Sequence, residues 1–231
     1  MRTVPIFPMF SKMKKELFKT IISDFKTDDF FSAYKFIKSE SLLIHRNVDG
    51  FIAVDLQHWR DYEDESCNIR PVYVRHFNVL ARWFEKYSVK PLNAQRLSPQ
   101  IMRYNNGPEE EREIIFKYDF SDYEIKFPQL RSTLKDNISD IYEEYATLND
   151  FYNKIVKPEI TGKKELPGIG ADWCFDYLTL GYLVDRDNYP VLKSKILERI
   201  EYMHGYNEPN IEHYYDRIDE IISYMENTVK L

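Results

Sequence analysis

The chain has 231 residues, 43% hydrophobic and 30% charged, the balance of a globular protein with core enough for one large domain or two small ones. No apolar run approaches the roughly 20 residues of a membrane span, and a net charge of −6 weighs against a general nucleic-acid binder. Cys67 and Cys174 alone exclude a disulfide framework, and MRTVPIFPMFSKMKKELF, broken by Pro5 and Pro8, lacks the form of a signal peptide, so the expected compartment is the cytoplasm.

Residues 1–11 read as a loose arm. Met13, Leu17, Ile21 and Phe25 then repeat every four residues and predict a helix over 12–25. Asp28 and Asp29 mark a turn, and a first strand is expected from Phe30 to Ile37. Asp49-Gly50 is a two-residue hairpin signal, because both positions tolerate positive φ. That turn would pair Val48 with Phe51, Arg46 with Ala53 and Ile44 with Asp55. The next strand is expected from Ile69 to Arg75, with Pro71 pointing to an edge or a strand start. A helix follows through Phe77, Leu80, Phe84 and Tyr87. Residues 88–111, rich in proline and asparagine, read as a long loop. REIIFKYDF alternates as another strand. From 126 onward the spacing is helical, with Thr147 and Asp150 as an N-cap pair near a break at Ala146 and Asp172 as the expected N-cap of a later helix.

Strands grouped before helices predict an α+β fold: an N-terminal helix, a mostly antiparallel sheet of four or five strands, then a helical C-terminal half. The expected division is a sheet module over 12–125 and a helical module over 126–231.

Side-chain alternation places Arg46, Asp55, Gln57 and Trp59 on one hairpin face, and Tyr73 and Arg75 join them where the third strand pairs alongside. Arginine and aromatic side chains beside a carboxylate and an amide make a candidate recognition surface. The alternative is a solvated or helix-covered face with a diagonal Arg46–Asp55 pair. His45 and His58 point to the other face, too far apart along the strands to share a metal ion, so no metal site is expected. Gly168-Ile169-Gly170 lacks the third glycine of a dinucleotide loop and no cofactor is expected.

Charge is unevenly distributed. Residues 1–107 carry 17 Lys/Arg against 12 Asp/Glu, and residues 108–231 carry 15 against 26. Within 66–107 basic residues interleave with Tyr73, Trp83 and Tyr87, a pattern that suits single-stranded nucleic acid or pairs internally with the acidic half.

The hairpin strand VDLQHWRDYEDESC, then NIRPVYVRHF and NVLARWFEKY, with Gln57 near the strand end and an acidic loop after it, resembles the bacterial domain-of-unknown-function family numbered 4304. ATLNDFYNKIV is similar to that family's late helix. The resemblance implies an α+β fold and supplies no catalytic residues. Three functions stay open: a non-enzymatic binding protein, by analogy an immunity protein whose partner is another protein; a nucleic-acid-associated protein using 66–107; and an enzyme built around Asp55, Gln57 and Arg75.

Overall fold

The computed structural model describes residues 7–38, 41–61, 65–89, 113–163 and 170–229. The fold is α+β, with an N-terminal helix, a five-stranded antiparallel sheet and a helical C-terminal half. Most of the expected 88–111 loop lies outside the described residues.

Helix α1 runs Phe7–Thr27, beginning inside the stretch expected as an arm. Pro8 is compatible with that start, because the first-turn amides of a helix have no internal acceptor. The repeat at Leu17, Ile21 and Phe25 is buried as the spacing requires. After α1 the Asp28 carboxylate accepts the amides of Phe30 at 2.8 Å and Phe31 at 3.1 Å and pairs with Arg131. These bonds hold a short 3-10 turn, Phe31–Ala33, where the front of the first strand was expected.

Five strands follow: β1 (Lys35–Ile37), β2 (Leu42–Arg46), β3 (Gly50–Asp61), β4 (Ser66–Phe77) and β5 (Ile114–Lys117). They lie in the order of the chain, so β1 and β5 are the edges. Ser66 pairs with Lys117 and Ile69 with Ile114, where β5 ends. Pro71 therefore sits beyond the end of β5 on that side of β4, where its missing amide leaves no ladder bond unmade.

The hairpin turns one residue earlier than its sequence signal. Asn47 N donates to Gly50 O at 2.9 Å, and Gly50 N donates to Asn47 Oδ1 at 2.8 Å. Leu56 N donates to Ser41 O at 3.0 Å. Residue 47 thus pairs with 50 and 41 with 56, which sets Arg46 opposite Phe51 and leaves Val48-Asp49 at the tip. The partners move by two residues, so every side chain keeps its expected face. The tip carbonyls are bound by Asn78, whose backbone N donates to Asp49 O at 2.8 Å and whose Nδ2 donates to Val48 O at 3.3 Å. Neither Asp49 nor Gly50 has positive φ. Gly50 is needed for space instead, since a Cβ there would lie 1.9 Å from His76 O.

Contacts group the chain into two compact units, and β3 and β4 contribute to both. The first comprises residues 1–46, 52–74 and 101–140. In it α1 and α3 (Tyr123–Glu144) pack together through Phe25 against Phe127, rings 5.2 Å apart, and through Tyr123, whose hydroxyl donates to Asp24 at 2.7 Å. Helix α3 begins before Pro128, and its residues up to Asp140 belong to this unit.

The second unit comprises residues 47–51, 75–100 and 141–231. A 3-10 turn, Asn78–Ala81, leads into α2 (Arg82–Tyr87). Thr147 caps α4 (Leu148–Phe151) in a full capping box with Asp150, as its sequence predicts. A π turn, Tyr152–Val156, and α5 (Lys157–Ile160) continue it. Then come α6 (Ala171–Val184), α7 (Tyr189–Gly205), α8 (Ile211–Tyr215) and α9 (Ile218–Thr228). Helix α6 is buried on nearly all sides, which its mostly apolar sequence permits, with Asp172, Asp176 and Thr179 also buried. Among the described residues no helix is long and apolar enough to cross a membrane.

Gly50→Ala is expected to destabilise the protein by about 2–3 kcal/mol, because backbone must move to admit the methyl group. Gly205→Ala, where nothing lies within 4 Å of the added Cβ, is the near-neutral control, and urea unfolding midpoints compare the two. A second test uses pH. Burial raises the Asp28 pKa, but the Phe31 amide and Arg131 outweigh it and hold the carboxyl below its usual 3.8. Asp28→Asn should cost about 1 kcal/mol at neutral pH. A depressed folded pKa stabilises above the unfolded value, so this gap closes as pH falls through the folded value, read from melts at pH 7 and pH 3.

Candidate functional site

The sheet places five of the six expected recognition residues, and they fall on two faces. His58 of β3 packs its ring 4.3 Å from that of Phe18 in α1, and the Tyr73 hydroxyl of β4 donates to Thr133 O in α3 at 3.4 Å. Both side chains lie on the face covered by α1 and α3. Asp55 and Gln57, at odd positions beside His58, point to the opposite face, where Gln57 Nε2 donates to Asp55 Oδ2 at 3.3 Å. Arg46 at the end of β2 is exposed. Trp59 lies in β3, with its side chain outside the described residues.

Arg75 is only 2% exposed. Its Nη1 donates to His76 O at 3.1 Å and Phe51 O at 3.4 Å, and its guanidinium lies 4.1 Å above the Phe77 ring. Nε has no hydrogen-bond partner among the described residues. Burial pulls the guanidinium below its ordinary pKa against the opposing pull of Tyr142 and Asp49. Phe51 and His76 stack at 4.6 Å, so β4 turns Arg75 away from the Phe51 side. Tyr73 and Arg75 therefore do not join Arg46, Asp55 and Gln57. The alternation was correct; the missing information was the β3–β4 pairing, which nothing between the strands signals as clearly as a hairpin turn.

The basic aromatic stretch is likewise divided. Tyr73, Trp83 and Tyr87 are 0%, 0% and 3% exposed, so their rings fill core and offer no stacking platform. Arg82 Nη1 donates to Thr228 O at 3.1 Å, and Lys86 lies over the rings of Tyr87 and Tyr224. Lys90, Arg96 and Arg103 fall outside the described residues.

The histidines do not cooperate. His45 Nδ1 bonds Ala33 O at 3.2 Å, and the observed register sets His58 six residues beyond the partner of His45, about 20 Å along the strand. Among the described residues no group of three or more His, Cys, Asp or Glu could hold a metal ion. Both cysteines are buried, and burial pushes the Cys174 thiol up to about 12, which leaves no thiolate for chemistry at neutral pH.

In the second unit two carboxylates are buried on α6. Trp83 Nε1 donates to Asp176 Oδ1 at 2.8 Å, and the Tyr214 hydroxyl donates to Asp172 while accepting the Val89 amide at 3.2 Å. Asp172, expected as an N-cap, is the second residue of the helix; Gly170 holds the cap position, and Asp172 serves as an acceptor inside the core. A cleft near the hairpin tip holds Asp49, Asn78, Arg82 and Thr147. Its Asn78, Arg82 and Thr147 are already bonded to backbone or to Asp150, and Asp55, Gln57 and Arg75 do not line it.

What the second unit leaves open is the end of α7. Tyr202 and Tyr206 are 64% and 69% exposed, with rings 4.6 Å apart. They stand one turn apart, in a row with Glu198, and Glu201 and Glu208 flank them. On the other flank His204 stacks on Tyr215 of α8 at 3.9 Å, with Glu212 4.0 Å from its Nε2. Between 189 and 229 the sequence has eight acids against four Lys/Arg. Sequence periodicity identified the buried stripe of α7 but could not single out Tyr202 and Tyr206 among eighteen tyrosines.

The chain matches no protein-family model, no curated protein and no solved structure with which it was compared.

Tyr214→Phe is expected to cost about 1–3 kcal/mol, because Asp172 and the Val89 amide both lose a partner in a dry environment. Tyr215→Phe, at a residue 36% exposed, should change little; chemical unfolding of both variants makes the comparison.

Proposed function

We propose that the chain is a non-enzymatic, cytoplasmic binding protein acting through protein–protein contacts, of the immunity type in which an acidic protein occupies a basic toxin. The resemblance to the 4304 family belongs to this proposal. The observation that supports it most is the exposed Tyr202–Tyr206 pair at the end of α7, beside Glu198 and Glu201 and shortly before Glu208 in the chain. Tyrosine offers a large rigid contact area at small entropic cost and is enriched where partners dock. Carboxylates around it steer a basic partner and speed encounter more than they deepen affinity. The Arg46, Asp55 and Gln57 face is the other surface in the proposal, a polar strip suited to a rim.

Affinity capture from the native host, followed by mass spectrometry and by binding kinetics with the purified captured protein, tests this. The wild-type chain should retain a basic protein whose association rate falls as salt rises. Tyr202→Ala/Tyr206→Ala should weaken that complex by about 2 kcal/mol or more and leave the melting temperature unchanged. Equal capture by both proteins, or an association rate indifferent to salt, would refute the role of α7.

A further inference from the structure

The first unit holds a cleft of about 770 Å³ between α1 and the sheet edge near β1. We propose that it binds a single long-chain fatty acid, with the chain on an apolar floor and the carboxylate among lysines. The site is distinct from the α7 surface and does not rest on it.

The floor is built by Phe18 and Ile22 of α1 and by Phe36 of β1. Phe18 and Phe36 are half-buried and Ile22 is 8% exposed, so an occupant would complete a surface that the fold covers only in part. His58 closes the inner end, its ring against Phe18 and its Nδ1 on Leu56 O at 3.0 Å. The rim is cationic on both sides, with Lys15, Lys19 and Lys26 from α1 and Lys38 just after β1. Among the described residues the lining contains one carboxylate, Glu16, 3.7 Å from Lys19. Among the described residues Lys15, Lys26 and Lys38 form no ion pair.

Charge complementarity decides the occupant. Four ammonium groups against one carboxylate call for an anion, and the floor calls for a chain attached to it. The volume lies within the roughly 300–1,000 Å³ of clefts that take one small ligand. Among the described residues no arginine lines the cleft, so no planar fork selects a bidentate head group; lysines act as point charges that accept a carboxylate in many orientations. All four lysines are exposed, so their charges stay in water, which suits a ligand with its head at the rim. Selectivity then comes from chain length, each buried methylene tightening binding about fourfold.

The test is displacement of the fluorescent fatty acid cis-parinaric acid from the full chain by palmitate, octanoate and hexadecanol. Palmitate should displace the probe at micromolar concentration, with octanoate and hexadecanol each weaker by about tenfold or more. Lys19→Glu/Lys38→Glu should weaken palmitate by about tenfold while circular dichroism stays unchanged, since both side chains are exposed. Tyr202→Ala/Tyr206→Ala should bind palmitate normally. The proposal is overturned if the probe does not bind, if hexadecanol matches palmitate, if the charge reversal has no effect, or if the chain binds only to phosphatidylglycerol vesicles and not to the monomeric acid.

Discussion

The missing side chain at Gly50 is the constraint on which the sheet depends. With a backbone carbonyl 1.9 Å from the site of its absent Cβ, Gly50 lets the start of β3 press against the end of β4. The amide that closes the hairpin belongs to the same residue and bonds to Asn47 Oδ1. Register and strand approach are therefore fixed at a single point. From there the alternation of β3 sends His58 toward α1 and Asp55 and Gln57 away from it. A one-residue slip would exchange those two sets and bury the acid.

The helical unit is organised by donors that need acceptors. Trp83 and Tyr214 bury large rings, and each carries one polar hydrogen that water cannot reach. Asp176 and Asp172 supply the acceptors from one helix, four residues apart and hence on one side of it. Two carboxylates that could be mistaken for catalytic acids are accounted for by this pairing. It specifies how α2 and α8 meet α6 more narrowly than hydrophobic burial alone could.

Much of the architecture was legible because its signals are local. Leu17, Ile21 and Phe25 announce α1, Ile114 and Phe116 announce β5, and Thr147 with Asp150 announces the break before α4. The hairpin was located correctly but assigned the wrong tip, because Asp49-Gly50 resembles a positive-φ turn while the glycine answers a steric demand from His76, 26 positions later. The candidate recognition face divides for the same reason. Its β2 and β3 members follow from one turn, whereas Tyr73 and Arg75 depend on a pairing that no short motif encodes. The cleft beside α1 carries no local signal, because its lysines belong to α1 and to the residue after β1, and only the fold brings those elements to one cleft.

The edges of the sheet are short, three residues in β1 and four in β5, while β3 and β4 run twelve each. Where β5 stops, Pro71 follows almost at once and offers no amide to an incoming strand. The two segments with the strongest tendency to recruit other chains are thus kept inside the sheet, bordered by strands too brief to act as templates. Short edge strands of this kind give an incoming chain little continuous ladder to extend.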